Sequence, residues 1–182
     1  MLTKSLPLVE VSHPHIRSEL AYATTRNFTG KVLYTHDIAL LRPEAAAALY
    51  KAADAAAKLG LDVVLLDAYR PVSVQRQLWS VRPDPDYVAD PAIGSDHSRG
   101  TAVDLTLADA QGILDMGTDF DAAVVQSHHD RQDISAKAIA NREILKRLMT
   151  EAGYLLNPLE WWHYALPARP EFVILDDDAI AT

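Results

Sequence analysis

The segment Thr101 to Leu107 constrains this chain more than any other. From Thr101 the residues alternate with the period of a strand, placing Ala102, Asp104 and Thr106 on one face and Val103, Leu105 and Leu107 on the other. Asp104 thus stands on the small, polar face of a strand whose opposite face is strongly apolar. A carboxylate beside a buried apolar ladder costs free energy unless something pairs with it. A divalent metal is one such partner, and His97, across the turn that Gly100 ends, can reach back to share it.

A second strand is expected at Trp161 to Leu166, with Trp161, His163 and Ala165 on one face and Trp162, Tyr164 and Leu166 on the other. His163 then points as a third ligand would, and Glu160 stands at the strand entrance, within reach of a metal-bound water without being a ligand. Three protein ligands and one open position are what a catalytic zinc takes. Each stretch also has a plainer reading. A His near a Gly turn is usually a surface or capping residue, an Asp in a strand usually pairs with an Arg or an amide, and Glu-Trp-Trp-His also suits an aromatic core strand with polar ends. Separately, neither motif decides.

A chain of 182 residues suits one domain with a real core. Its net charge of -8 argues against a nucleic-acid partner, since phosphate binding wants a basic surface. Cysteine is absent, so any transition-metal site is built from nitrogen and oxygen. Residues 1–10 hold no apolar stretch of secretory length, and no segment approaches the ~20 apolar residues of a membrane span. The expectation is a cytoplasmic protein with no membrane partner.

Residues 1–30 read as an irregular arm, and Lys31 to Tyr34 as a short strand candidate. Pro43 to Leu59 is the clearest helix, with Pro43 and Glu44 in its first turn, an alanine-rich body and Gly60 as a stop. Leu61 to Tyr69 is a buried strand, and Pro71 opens a helix to about Val81. Arg82 to Gly94 is a loop, a rim leading into the metal motif. After Leu107 a turn at 108–112 returns through Ile113 to Gly117 as a hairpin, and Ser135 caps a helix that Gly153 ends. Residues 170–182 form a tail whose Asp176, Asp177 and Asp178 are read as solvated. These elements predict one α+β domain spanning 1–182, a mostly antiparallel central sheet flanked by helices, with the metal site on one sheet face.

Taken together, the two stretches resemble the zinc D,D-peptidases, which share Ser-x-His-x-x-Gly-x-Ala-x-Asp, intact here from Ser95 to Asp104, and a later Glu-x-x-His, intact from Glu160 to His163. Ala21-Tyr22-Ala23-Thr24, Asn27-Phe28-Thr29-Gly30, Asp67-Ala68-Tyr69-Arg70-Pro71, Met116 to Asp121 and Ser127-His128-His129 extend the resemblance, in order, to the D-alanyl-D-alanine dipeptidases of the VanX type. The resemblance implies one Zn2+ per chain held by His97, Asp104 and His163, with Glu160 as the base acting on the zinc-bound water. On its residues alone Arg70 reads as the salt-bridge partner of Asp67 or of another carboxylate. The resemblance makes it a planar double donor to the developing oxyanion. Asp121 is expected to hold the ammonium of a small zwitterionic D,D-dipeptide, with helix N-capping or loop solvation as its plainer role, and Ser95, Tyr22 and Asp67 complete the expected substrate contacts. The same resemblance places the activity in cell-wall metabolism, as vancomycin resistance or wall-fragment turnover. Two alternatives stand beside it. One is a D,D- or L,D-carboxypeptidase or endopeptidase of the same group acting on longer wall peptides, and the other is a non-catalytic metal- or peptide-binding module.

Overall fold

The computed structural model describes residues 8–175, and the expected tail aspartates, Asp176 to Asp178, lie outside them. The fold is α+β. Three helices carry it: α1 (Pro43–Ala57), α2 (Val72–Val81) and α3 (Ala136–Ala152). Eight short strands accompany them: β1 (Val9–Glu10), β2 (Ile16–Ser18), β3 (Leu40–Leu41), β4 (Asp62–Asp67), β5 (Ala102–Asp109), β6 (Gly112–Ile113), β7 (Leu155–Asn157) and β8 (Glu160–Ala165). The main sheet runs β2-β4-β5-β8-β7 with β6 beside β5, while β1 and β3 pair separately. Among the described residues only the β2–β4 pairing is parallel. Six helix and strand expectations therefore stand with ends shifted by a residue or two.

The alternation along β5 does what its pattern predicts. Val103, Leu105 and Leu107 join Val63, Leu65, Tyr164 and the alanine stripe of α1 in the main core. Pro43 starts α1 with a φ already helical and no N–H to strand, Glu44 faces the positive end, and Ala45, Ala52, Ala53 and Ala56 are small enough to bring the helix close. Tyr154 Oη donates to the Ala45 carbonyl at 2.7 Å, tying the first turn of α1 to the end of α3. Ser135 caps α3 by accepting from Ala138 N, and Gly153, at φ 107°, ends it in the left-handed conformation that a side chain disfavours.

Some expectations change. Lys31 to Tyr34 is not a strand: Leu33 N and Tyr34 N both donate to the Tyr22 carbonyl, at 2.8 and 3.0 Å, which fastens the segment to the arm and leaves no ladder. The return of the hairpin is only Gly112–Ile113, because the chain then leaves the sheet. The arm is not wholly irregular, since Ile16–Ser18 adds a parallel edge strand to β4. Phe172 and Leu175 are buried, so the tail before Asp176 packs on the body. Within α3, Arg142 is 3% exposed and donates to three backbone carbonyls, those of Met116, Gln126 and His128, at 2.7, 2.8 and 3.0 Å. One buried cation thereby holds the whole 116–128 loop against the helix.

His129 follows that loop, edge-on to the Tyr164 ring at 5.9 Å, and its enclosed Nε2 has no partner among the described residues. Burial, with Arg142 and Lys146 nearby, pulls its pKa down to about 4. An unfolded His protonates near 6.5, so between the two values the unfolded chain binds more protons and stability falls as pH falls. From pH 7 to pH 5 this amounts to about 2 kcal/mol. Urea unfolding in chelator at both pH values should show that His129→Gln lacks this share of the drop. An equal drop in both proteins would exclude His129 as its source.

Candidate active site

Gly100, at φ 72°, closes a single 3-10 turn over His97–Arg99 and launches β5. A Cβ there would come within 2.6 Å of the Leu8 side chain, so glycine is needed for both conformation and space. The turn folds His97 back over the strand it precedes. Its Nδ1 lies 2.7 Å from the Ala68 carbonyl, an acceptor only, which puts the ring proton on Nδ1 and turns the Nε2 lone pair inward. Strand pairing supplies the rest: β5 and β8 run antiparallel with Asp104 opposite His163. Asp104 Oδ1 is 3.2 Å from His97 Nε2 and 2.9 Å from His163 Nδ1, and the two ring nitrogens are 3.2 Å apart.

These three ligand atoms form a donor set suited to a divalent cation. A tetrahedral zinc with bonds of about 2.0 Å has ligand–ligand edges of roughly 3.3 Å, close to the spacings found here. Burial alone would raise the pKa of Asp104, but His97 and His163 hold it well below the usual carboxylate range. Two nitrogens and one anionic oxygen are a donor set that zinc accepts readily.

Arg70 lies beside this cluster, 7% exposed. Its Nε and Nη2 donate to Asp67 Oδ2 at 2.9 and 2.7 Å, Nη2 also approaches Asp104 Oδ2 at 3.4 Å, and Nη1 donates to Gln75 Oε1 at 2.9 Å. Of five N–H donors, these contacts leave one, on Nη1. The expectation of a double donor gives way to a single uncommitted one. Asp67 also departs from expectation: it is 0% exposed, accepts from Tyr34 Oη, Ala68 N and Arg70, and is absent from the cavity wall. An irregularity between Leu65 and Asp67 sets it opposite Asp104, where it orients Arg70 and is out of reach of a ligand.

The other expected residues share one cavity of ≈170 Å³, lined by Tyr22, Arg70, Ser95, Asp121, Glu160 and the three-donor cluster. That is small beside pockets for drug-sized ligands. Asp121 is a non-glycine residue at φ 61°, a conformation that costs energy and here turns its carboxylate inward. Tyr22 Oη donates to Asp121 Oδ2 at 2.6 Å, and burial pushes the carboxyl up to about 7. Ser95 Oγ accepts from His97 N at 3.2 Å, so it shapes the turn as well as the wall. Glu160 is 7% exposed and its pKa is pushed well above the usual range by burial, with Asp104 and Asp121 adding to it.

Two site residues escaped the sequence reading. Asn157 Nδ2 donates to Glu160 Oε2 at 2.7 Å, a contact made by an irregularity in the β7–β8 ladder that sets Asn157 opposite Glu160. Gln75 sits on α2 with no motif to mark it. His128 meets Tyr87 of the rim through Nε2, 3.1 Å from Tyr87 Oη.

A family model described as D-ala-D-ala dipeptidase, of the M15 peptidases, matches residues 1–180. The chain is 43% identical to the D-alanyl-D-alanine dipeptidase of Escherichia coli, covering 96% of this chain and 91% of that protein. It is 33% identical to the protein of the same name from Enterococcus faecium, covering 90% and 91%. A solved vancomycin-resistance D,D-pentapeptidase, VanY in complex with Zn(II), overlaps more loosely, with a TM-score of 0.45 and 15% identity over 73% of this chain and 75% of that one. The chain therefore belongs to the D-ala-D-ala dipeptidase family of M15 peptidases.

Proposed function

We propose that this peptidase hydrolyses D-alanyl-D-alanine to two D-alanines, with one Zn2+ held by His97, Asp104 and His163. The observation that carries the reading is the convergence of a three-donor cluster, a carboxylate base and a buried arginine on one ≈170 Å³ cavity. His97, Asp104 and His163 would hold the zinc ion, which would supply Lewis-acid polarisation of the scissile carbonyl and acidify the attacking water. Glu160 takes a proton from the attacking water and delivers it to the leaving amine. Asn157 steadies that carboxylate through Oε2. Arg70 directs its remaining Nη1–H at the carbonyl oxygen as negative charge develops there. Asp121, braced by Tyr22, pairs with the substrate ammonium and so favours a free N-terminus.

The test is amine release from D-Ala-D-Ala, L-Ala-L-Ala and N-acetyl-D-Ala-D-Ala, before and after chelation and zinc restoration. Cleavage confined to the free D,D-dipeptide, lost with chelator and regained with zinc, is the expected result. Cleavage of the blocked substrate would replace this reading with a carboxypeptidase, and no cleavage by zinc-loaded protein would refute it.

A further inference from the structure

Gln75 is 1% exposed, and its amide is engaged at both ends. Its Oε1 accepts from Arg70 Nη1 at 2.9 Å, and its Nε2 donates to the Ala89 carbonyl at 2.7 Å. The backbone beneath it is fixed in the first turn of α2, where Gln75 N donates to the Pro71 carbonyl at 3.0 Å. Ala89 belongs to the 82–94 segment, which lines the cavity here and through Pro85, Asp86, Tyr87 and Val88. One side chain therefore joins the guanidinium to the rim.

We propose that Gln75 is a positioning residue for the reaction: it sets the rotation of Arg70 about Nη1, so that the last uncommitted N–H faces the substrate carbonyl, and it holds the rim segment against the cavity at Ala89. The proposal rests on the assignment of Arg70 to the carbonyl oxygen. Asp67 anchors one edge of the guanidinium through Nε and Nη2. The other edge, which carries the working donor, is held by Gln75. A fixed acceptor on one Nη1–H leaves the second a single direction, because the group is planar. Because the same amide makes both contacts, removing it disturbs donor alignment and the rim at once.

Gln75→Met, close in length and free of both hydrogen bonds, tests this in the zinc-loaded enzyme. Relative to wild type, kcat for D-Ala-D-Ala should fall about 10- to 100-fold and KM should rise, because a small misplacement of a transition-state donor costs that much. In an Arg70→Ala background the same change should lower kcat less than about threefold while the KM effect persists, as expected when one residue acts through the other. Gln75→Glu, whose carboxylate accepts from Nη1 but cannot donate to Ala89, should raise KM and keep kcat within about threefold of wild type. It carries the test if Gln75→Met does not fold. Wild-type kcat and KM in these variants, or a kcat loss in Gln75→Met undiminished in the Arg70→Ala background, would overturn the proposal. Wild-type kcat in Arg70→Ala alone would instead remove the assignment of Arg70, and the proposal with it.

Discussion

Glu160→Gln is expected to lower kcat by about three to four orders of magnitude while leaving the zinc content at one ion per chain. The size of the loss follows from what the amide cannot do. Glutamine keeps the shape and still accepts from Asn157 Nδ2, so the β7–β8 contact that holds residue 160 survives. It has no basic oxygen to take the proton of the attacking water, and no proton to give the departing amine. The metal should be spared because Glu160 is not among the three converging donors, His97, Asp104 and His163. Of the other cavity carboxylates free of that cluster, Asp86, Asp96 and Asp121, the last is pushed up to about 7 but committed to Tyr22 Oη. Steady-state kinetics paired with metal analysis separates the cases. Loss of zinc with activity would make Glu160 a ligand, and a kcat within tenfold of wild type would move the base elsewhere.

What the sequence reveals about this site follows the reach of local patterns. Asp104 was legible because β5 is eight residues long, enough for period-two alternation to expose one carboxylate out of place. The ends of α1 and α3 were legible because Pro43, Ser135 and Gly153 act through their own backbone geometry. Strands of two or three residues carry no measurable period, which hid β1, β2 and β7. Ladder irregularities hid more. Without the one between Leu65 and Asp67, simple alternation would not set Asp67 against Asp104, and its burial behind Arg70 is a consequence of that slip. Arg142 and Gln75 were illegible for another reason. Both are polar residues at helix positions that look solvent-facing, and their partners are backbone carbonyls 14 to 26 residues away in sequence. Such carbonyls belong to every residue, so no side-chain pattern announces them.

Asp104→Asn is expected to abolish the second property that Glu160→Gln spares. Asp104 Oδ1 is the common partner of both imidazoles, and the carboxylate stays ionised in a buried place because those imidazoles hold it so. A neutral amide keeps an oxygen of similar position but removes the charge, and charge is what makes a buried oxygen worth a divalent cation's lost hydration. Zinc content should fall below about a tenth of an ion per chain, and kcat/KM by more than about a thousandfold. The fold itself should persist, since Arg70 keeps two hydrogen bonds to Asp67 Oδ2 after losing its longer contact to Asp104. Stability then supplies a readout independent of catalysis. A ligand that binds only the native state stabilises it by about 4 kcal/mol at a thousand times its Kd. Wild-type protein should therefore unfold at markedly higher urea with zinc than with chelator, and Asp104→Asn should unfold at the same urea in both. A variant that keeps the zinc-dependent shift would show that His97 and His163 hold the ion without this carboxylate.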